Sequence, residues 1–364
     1  MKTSEGKKVF VGVSGGVDSS VSLALLQEQG YDVTGVFIKT WQPEWIECTW
    51  RDERRDAMRV CAHLGVDFVT LDLEKAYKEG VADYMIAEYR SGRTPNPDVM
   101  CNKEVKFGGF LDWALENGAD YIATGHYTRN SDKEGRQRML EGKDKNKDQS
   151  YFLWTLTQDQ LKHTIFPIGD IPKPKVRELA EKFNLPTASK KDSQGVCFIG
   201  EIDMKDFLGH YIDEKNGDVL NTDGEVIGEH NGAFLLTIGE RHGFTISKKG
   251  TEDKALFVVE KDADKNTVTV SEKSPFDEKE GNTAGYTKEV SLIKTNWIPT
   301  AFPPFGKDFE ARVRYRGERH KCNFMQVRDD TALLVFENPV WGVSAGQSVV
   351  VYDKEECIGG GIIS

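Results

Sequence analysis

Three clusters of residues in this chain of 364 residues have the types and spacing that chemistry requires. The first is Ser14-Gly15-Gly16-Val17-Asp18-Ser19-Ser20, which follows the apolar run Val9 to Val13 and precedes a helical pattern from Val21 to Gln29. In that strand–turn–helix order, adjacent glycines leave no Cβ between backbone and ligand, so several N–H groups can converge on one anion. Ser19 and Ser20 add hydroxyl donors, and the helix dipole adds positive potential at the same point. Asp18 puts a carboxylate where the Mg²⁺ of a nucleotide takes an oxygen ligand. The turn is therefore a site for the phosphates of ATP. It is not a Walker A loop, because no G-x-x-x-x-G-K-[ST] occurs.

The second cluster is Pro95-Asn96-Pro97-Asp98-Val99-Met100-Cys101-Asn102-Lys103, and the third is Asp192-Ser193-Gln194-Gly195-Val196-Cys197-Phe198-Ile199-Gly200. Two prolines stiffen the loop that presents Asp98 and Cys101. Asp98 stands three residues before Cys101, within reach as an acid/base partner. A free thiol is only a few per cent thiolate at neutral pH, so a reactive cysteine needs a neighbour that lowers its pKa. Lys103, Lys106 and His126 are the candidates. Cys48, Cys61, Cys322 and Cys357 stand in no such pattern, and their expected place is the apolar interior.

The first half of the chain supplies the elements that must position these groups. Strand patterns at Val33–Ile38, Phe68–Leu73 and Tyr121–Thr124 alternate with helical patterns at Asp52–Leu64, Lys75–Tyr89 and Lys103–Asn117. That order predicts a parallel, doubly wound α/β sheet, whose ligands sit outside the strand carboxyl ends. Ser14–Ser20, Ile38 and Gly125 all lie at such ends. A further helix is expected over Lys173–Asn184. Beyond Tyr211 the pattern changes to hairpins, with turns at Asp223-Gly224 and Asp264-Lys265-Asn266, and then to short alternating strands. Those strands suggest a small β-barrel. We expect a catalytic unit over 1–205, a small β-rich unit over 206–278 and a C-terminal barrel over 279–364, with a charged junction at Glu272–Gly281.

Composition narrows the setting. Charged residues are 29% and hydrophobic ones 38%, as in a soluble globular protein, and no apolar run reaches the ~20 residues of a membrane span. Little sequence precedes the first strand, which leaves no room for a signal or transit peptide. Six cysteines without a C-x-x-C pair argue against a disulfide scaffold or a zinc site and suit a reducing cytoplasm. A net charge of −11 argues against a general polyanion binder. Two basic stripes, Arg129–Lys147 and Glu310–Cys322, suit either selective nucleic-acid docking or a solvated edge strand studded with charge.

S-G-G-x-D-S-S resembles the pyrophosphate loop of the ATP pyrophosphatases. Together with P-N-P-D-x-x-C-N-K-x-x-K-F, G-H-Y, K-D-Q-S-Y-F-L and G-V-C-F-I-G, in this order, it resembles the bacterial tRNA-specific 2-thiouridylase family over essentially the whole chain. The resemblance implies thiolation of the wobble uridine of glutamate, glutamine and lysine tRNAs, with Mg·ATP and sulfur relayed from a cysteine desulfurase or a sulfur-relay protein. It implies that Gly12, Val13, Ser14, Gly15, Gly16, Val17, Asp18, Ser19, Ile38 and Gly125 contact ATP. Asn96, Pro97 and Asp98 would meet the target base, and His126, Lys147, Asp148, Gln149, Arg314, Tyr315 and Gln347 would touch tRNA. Cys197 would carry a persulfide, Cys101 would resolve it or free sulfide from it, and Asp98 would be the acid/base. An iron–sulfur route is disfavoured, because Asp98 stands where a C-x-x-C ligand would be. Two rivals differ in what they need. A small-molecule amide or argininosuccinate synthetase requires no paired thiols, and a nucleotide-regulated RNA-binding module releases no pyrophosphate.

Overall fold

The computed structural model describes residues 6–46, 50–192, 197, 204–247, 255–272, 283–299 and 302–364. The chain opens as β1 (Lys8–Gly12), α1 (Val17–Glu28), β2 (Asp32–Lys39), α2 (Trp50–Leu64) and β3 (Asp67–Asp72). Two long helices follow, α3 over 74–90 and α4 over 97–116, and then β4 (Tyr121–Ala123). A hairpin of β5 (Thr128–Lys133) and β6 (Arg136–Glu141), α5 (Gln158–Lys162), β7 (Thr164–Ile165) and α6 (Lys173–Lys182) complete this unit.

Strands β3-β2-β1-β4-β7 form one sheet in that order, every neighbour parallel. The period of two explains why both faces are covered. Val9, Val11, Val33 and Phe37 pack with the buried faces of α1, α2 and α6. Phe10, Val36, Ile38 and Ile122 point the other way, into a core with Tyr77, Met85, Val105 and Phe110 of α3 and α4. The doubly wound sheet expected from the alternating pattern is the one observed.

A central five-stranded sheet follows, from β8 (Gly217–Leu220), β9 (Val226–His230), β10 (Phe244–Ile246), β11 (Leu256–Asp262) and β12 (Thr267–Glu272). Both expected hairpins are present, β8–β9 and β11–β12. Past Glu272, the expected junction lies outside the described residues as far as Gly281. The last unit holds β13 (Tyr286–Trp297), β14 (Phe309–Arg312), β15 (His320–Arg328), β16 (Thr331–Trp341), β17 (Ser348–Asp353) and β18 (Glu356–Ile363). They pair in the order β13-β16-β15-β14-β17-β18, and β13 pairs again with β18 to close a barrel. At Gly359 a Cβ would lie 2.0 Å from the carbonyl oxygen of Asn296, so the closing seam needs glycine.

The hairpin β5–β6 leaves the catalytic unit and extends the barrel sheet, Leu140 and Met139 pairing with Glu356 and Cys357. Of the two readings of the basic stripes, the ion pairs fit the charge-studded edge strand. Arg136 and Arg138 pair with Glu356, Arg129 with Glu355, and Lys145 with Glu141. From the barrel, Arg312 and Arg319 both reach Glu141, and Arg312 also reaches Asp148. The stripes are largely adhesive between hairpin and barrel.

The segment after the hairpin seals the same junction. Tyr151 donates its hydroxyl to the Ser348 carbonyl at 2.8 Å, and Trp154 donates its indole N–H to the Ser348 hydroxyl at 3.1 Å. Trp154 is wholly enclosed. Trp154→Ala should cost about 3–5 kcal/mol, read as a lower urea midpoint followed by tryptophan fluorescence and far-UV circular dichroism.

Candidate active site at the glycine turn

The chain leaves β1 at Gly12 and turns through Ser14, Gly15 and Gly16 into α1. Gly15 has φ +72°, and a Cβ there would lie 2.5 Å from the Glu53 carbonyl oxygen of α2. Conformation and space both demand glycine at this position. The Ser14 N–H donates to the Ser19 hydroxyl at 3.2 Å, which gathers both serines at the mouth of the turn. Ser20, expected to offer a further donor, faces inward. Its buried hydroxyl donates to the Gly16 carbonyl at 2.7 Å and accepts from Thr187.

Ser14, Gly16, Val17, Asp18 and Ser19 line a cavity of about 500 Å³. Ile38 and Gly125 do not line it. Ile38 is buried within β2, and Gly125 is a close-approach glycine whose Cβ would lie 2.8 Å from the Ser19 nitrogen. Val13 is buried behind the turn, its N–H donating to Val36.

Asp18, expected to await a metal, has protein partners. Lys173 reaches its two oxygens at 2.7 and 2.9 Å, and the Tyr127 hydroxyl donates to it at 2.7 Å. The same lysine reaches Asp192 at 2.8 Å, where Lys147 (2.9 Å) and Arg177 (2.5 Å) also converge. Partial burial works to raise the Asp192 carboxyl, but the bonds from Lys173 and Lys147 outweigh it and hold it well below the usual range. Lys173 thus ties the glycine turn to the approach to Cys197. Sequence reading missed it; its one local signal is the rigid Pro172-Lys173-Pro174 entry to α6. Among the described residues no group of three His, Cys, Asp or Glu could hold a metal ion.

The far wall of the cavity carries sulfur. Asn96 caps α4, its side-chain oxygen accepting the Val99 N–H, and Pro97 occupies the first helical position. That cap aims Asp98 and Cys101 from the first turn. Cys101 lies 3.6 Å, sulfur to sulfur, from Cys197. The backbone of Cys197 is held at both ends: its N–H donates to Asp98 at 3.0 Å, and its carbonyl accepts the Tyr77 hydroxyl at 2.8 Å. The rest of the third cluster, 193–196 and 198–200, lies outside the described residues.

The two sulfurs are not equivalent. Burial, reinforced by the neighbouring sulfur, pushes the Cys101 thiol well above its ordinary value. The Cys101 S–H donated to its sulfur lowers Cys197 against the cost of burial, and Lys106 lowers it further. The pair therefore loses its first proton at Cys197. Burial raises the Asp98 carboxyl, offset in part by the Cys197 N–H and by Lys106. Cys61 and Cys322 are inert by comparison, pushed by burial to about 11 and about 12. Cys357 is likewise buried and raised, and Cys48 lies outside the described residues.

The residues expected to touch tRNA divide into two groups. His126, Lys147, Gln149 and Tyr315 line the cavity, with Arg316 and Phe152 beside them. Burial, with Lys106 nearby, depresses His126 far enough to keep it neutral at pH 7. Tyr315 stands over Phe152 with ring centres 4.3 Å apart. Asp148, Arg314 and Gln347 are placed otherwise. Asp148 is 2% exposed and accepts from Gly142, Ser150 and Arg312, so its carboxylate braces the loop from inside. Arg314 donates to the Gly342 carbonyl. Gln347 donates to the carbonyls of Thr94 at 2.9 Å and Pro95 at 3.2 Å, which steadies the loop ahead of Asn96.

A glycine turn at the carboxyl edge of a parallel sheet, with a thiol pair across the cavity and two β units after it, is an arrangement suited to a nucleotide-dependent enzyme. Family models match the chain in the same three parts. They are a tRNA methyl transferase HUP domain over 7–201, a tRNA methyl transferase PRC-barrel domain over 205–272 and an aminomethyltransferase beta-barrel domain over 287–363. The tRNA-specific 2-thiouridylase MnmA of Bacillus velezensis is 47% identical over 100% of this chain and 96% of its own length. Those of Bacillus subtilis strain 168 and Escherichia coli K12 are each 45% identical, over 100% and 98% of this chain and 96% of their own length. The chain belongs to the tRNA-specific 2-thiouridylase family.

Replacing Lys173 with methionine leaves Asp18 and Asp192 as like charges on either side of its place. Lys173→Met should weaken ATP binding about tenfold or more by titration calorimetry, and should lower the thermal midpoint by several degrees.

Proposed function

We propose that this chain uses ATP to replace the C2 oxygen of the wobble uridine with sulfur in glutamate, glutamine and lysine tRNAs. The observation that carries this reading is the single cavity onto which the glycine turn, Asp98 and Cys197 all open. The family of close relatives supports it. We assign catalysis to 1–205, a connecting role to 206–278 and part of the tRNA surface to the barrel over 279–364.

A uracil C2 oxygen is a poor leaving group, and adenylation converts it into a good one. The oxygen attacks the α-phosphate of ATP, pyrophosphate leaves toward Ser14–Ser19, and Asp98 takes the proton from N3. Magnesium arrives chelated by the nucleotide, as part of the substrate. The terminal sulfur of a Cys197 persulfide then attacks C2, AMP leaves, and the base is joined to Cys197 through a disulfide. The Cys101 thiolate attacks the Cys197 sulfur, which forms the Cys101–Cys197 disulfide and expels the 2-thiouridine anion. Asp98 returns the proton to N3. In the other order, Cys101 attacks the persulfide first, forms the same disulfide and frees the sulfide that attacks C2. From 3.6 Å, the sulfurs need close by only roughly 1.5 Å to reach bonding distance. An external thiol supplies two electrons to reopen the disulfide, as the cytoplasm allows. A cysteine desulfurase or a sulfur-relay protein reloads Cys197.

Incubation with unmodified glutamate tRNA, Mg·ATP and a persulfide donor should yield 2-thiouridine by nucleoside mass spectrometry, with AMP and pyrophosphate in equal amounts. Absence of 2-thiouridine while Cys197 is shown to be loaded would refute the assignment. Cys197→Ser and Cys101→Ser should each abolish the product while pyrophosphate release from the adenylation step persists. Full thiolation by Cys197→Ser would favour an acceptor chemistry without paired thiols.

A further inference from the structure

Helix α4 is not a uniform α-helix. Over Cys101–Gly109 it loosens into a π-helical stretch, whose hydrogen bonds run from i to i+5. In an α-helix, five residues advance the chain to a position about 140° around from where it began. In the wider turn that offset shrinks, which brings Lys106 toward Cys101, and its spacing of eight residues from Asp98 and four from Asn102 puts all three on one face. Asp98, Asn102 and Lys106 accordingly line the cavity together, opposite the glycine turn and beside Cys197.

The lysine is half-buried in the cavity wall, and it hydrogen-bonds to Cys197. Asp98 at the N–H of Cys197, Tyr77 at its carbonyl and Cys101 beside its sulfur can bring only negative charge or none. His126, in the same wall, is neutral. An anion buried among such groups is costly without a cation in contact.

We infer that Lys106 is a catalytic residue of sulfur transfer: its ammonium binds the sulfur anion on Cys197, first as the thiolate that accepts sulfur and then as the terminal sulfur of the persulfide. Several features agree. Burial alone would lower the lysine, but the sulfurs of Cys197 and Cys101 more than offset this and hold it raised, so it keeps its charge while the thiol titrates. The same cation draws down the Asp98 carboxyl, so one residue biases both the sulfur carrier and the acid/base. The i, i+4, i+8 spacing of Asp98, Asn102 and Lys106 keeps acid, amide and ammonium on one face of the helix.

The inference rests on the thiolation reading, but its first test needs no tRNA. The rate of iodoacetamide alkylation at Cys197 and at Cys101 would be followed against pH by peptide mass spectrometry of the full-length protein. In Lys106→Met, the half-point for Cys197 should rise by about one pH unit or more, some tenfold less thiolate at neutral pH. Lys106→Arg, which keeps the cation, should titrate close to the parent. In a single turnover from protein already loaded with sulfane sulfur, Lys106→Met should form 2-thiouridine about tenfold more slowly, and the arginine variant should recover part of the rate. Should Lys106→Met fail to fold by circular dichroism, Lys106→Gln carries the same test. An unmoved Cys197 profile in a folded neutral variant would overturn the inference, as would an arginine variant that titrates like the methionine one. Failure of thiolation with an intact alkylation shift would count against the proposed reaction and leave the sulfur–lysine pairing standing.

Discussion

The site depends on the clamping of one residue by its own backbone. Cys197 gives its N–H to Asp98 on α4 and its carbonyl to Tyr77 on α3. Those two bonds bring a sulfur 96 positions away in sequence to 3.6 Å from Cys101. They also make Asp98 a structural partner of Cys197. Asp98 accepts from the backbone of the residue whose sulfur lines the same cavity, so the two groups are held in one fixed relation. The surrounding architecture serves that relation: Asn96 caps the helix, Gln347 steadies the loop before it, and Lys173 ties the glycine turn to Asp192 on the approach to Cys197.

Most of the layout was legible in the chain because it rests on local rules. Short apolar runs with β-branched residues marked β1 to β4, and the paired glycines before α1 marked the turn that enters it. Alternation marked the main barrel strands, and turn residues marked the hairpins of the central sheet. Reading failed where partners decide. Strand β18, Glu356–Ile363, runs through Gly359-Gly360-Gly361, and glycine weakens any strand signal; only the close approach of Asn296 and Val349 explains those residues. The basic stripes displayed their charge in the sequence, but the glutamates that consume it lie far off along the chain. The K-D-Q-S-Y-F-L segment is largely a domain joint, with Asp148, Tyr151 and Trp154 turned toward the barrel.

The site was legible to a similar depth. Cys101, Cys197 and Asp98 stood out by type and spacing, and the structure brings them together. Lys103 and Lys106 were equal candidates by sequence, because a helix of uniform pitch puts neither clearly at the thiol. Their surroundings in the fold separate them: Lys106 faces the cavity with Asp98 and Asn102, and Lys103 is exposed beside Glu104. Lys173 escaped notice because a lysine beginning a helix normally reads as a solvated charge, whereas here it is largely buried between two carboxylates.

The hairpin β5–β6 has a consequence for how this molecule can be built. Arg138 and its partner Glu356 are 218 residues apart, so the early hairpin waits for a strand made long after it. During synthesis its outer edge stays open, and Arg136 and Arg138 have no Glu356 to pair with until the barrel closes. Assembly is thus completed by late, long-range pairing. The barrel cannot be exchanged for another as a cassette unless the hairpin of the nucleotide unit travels with it.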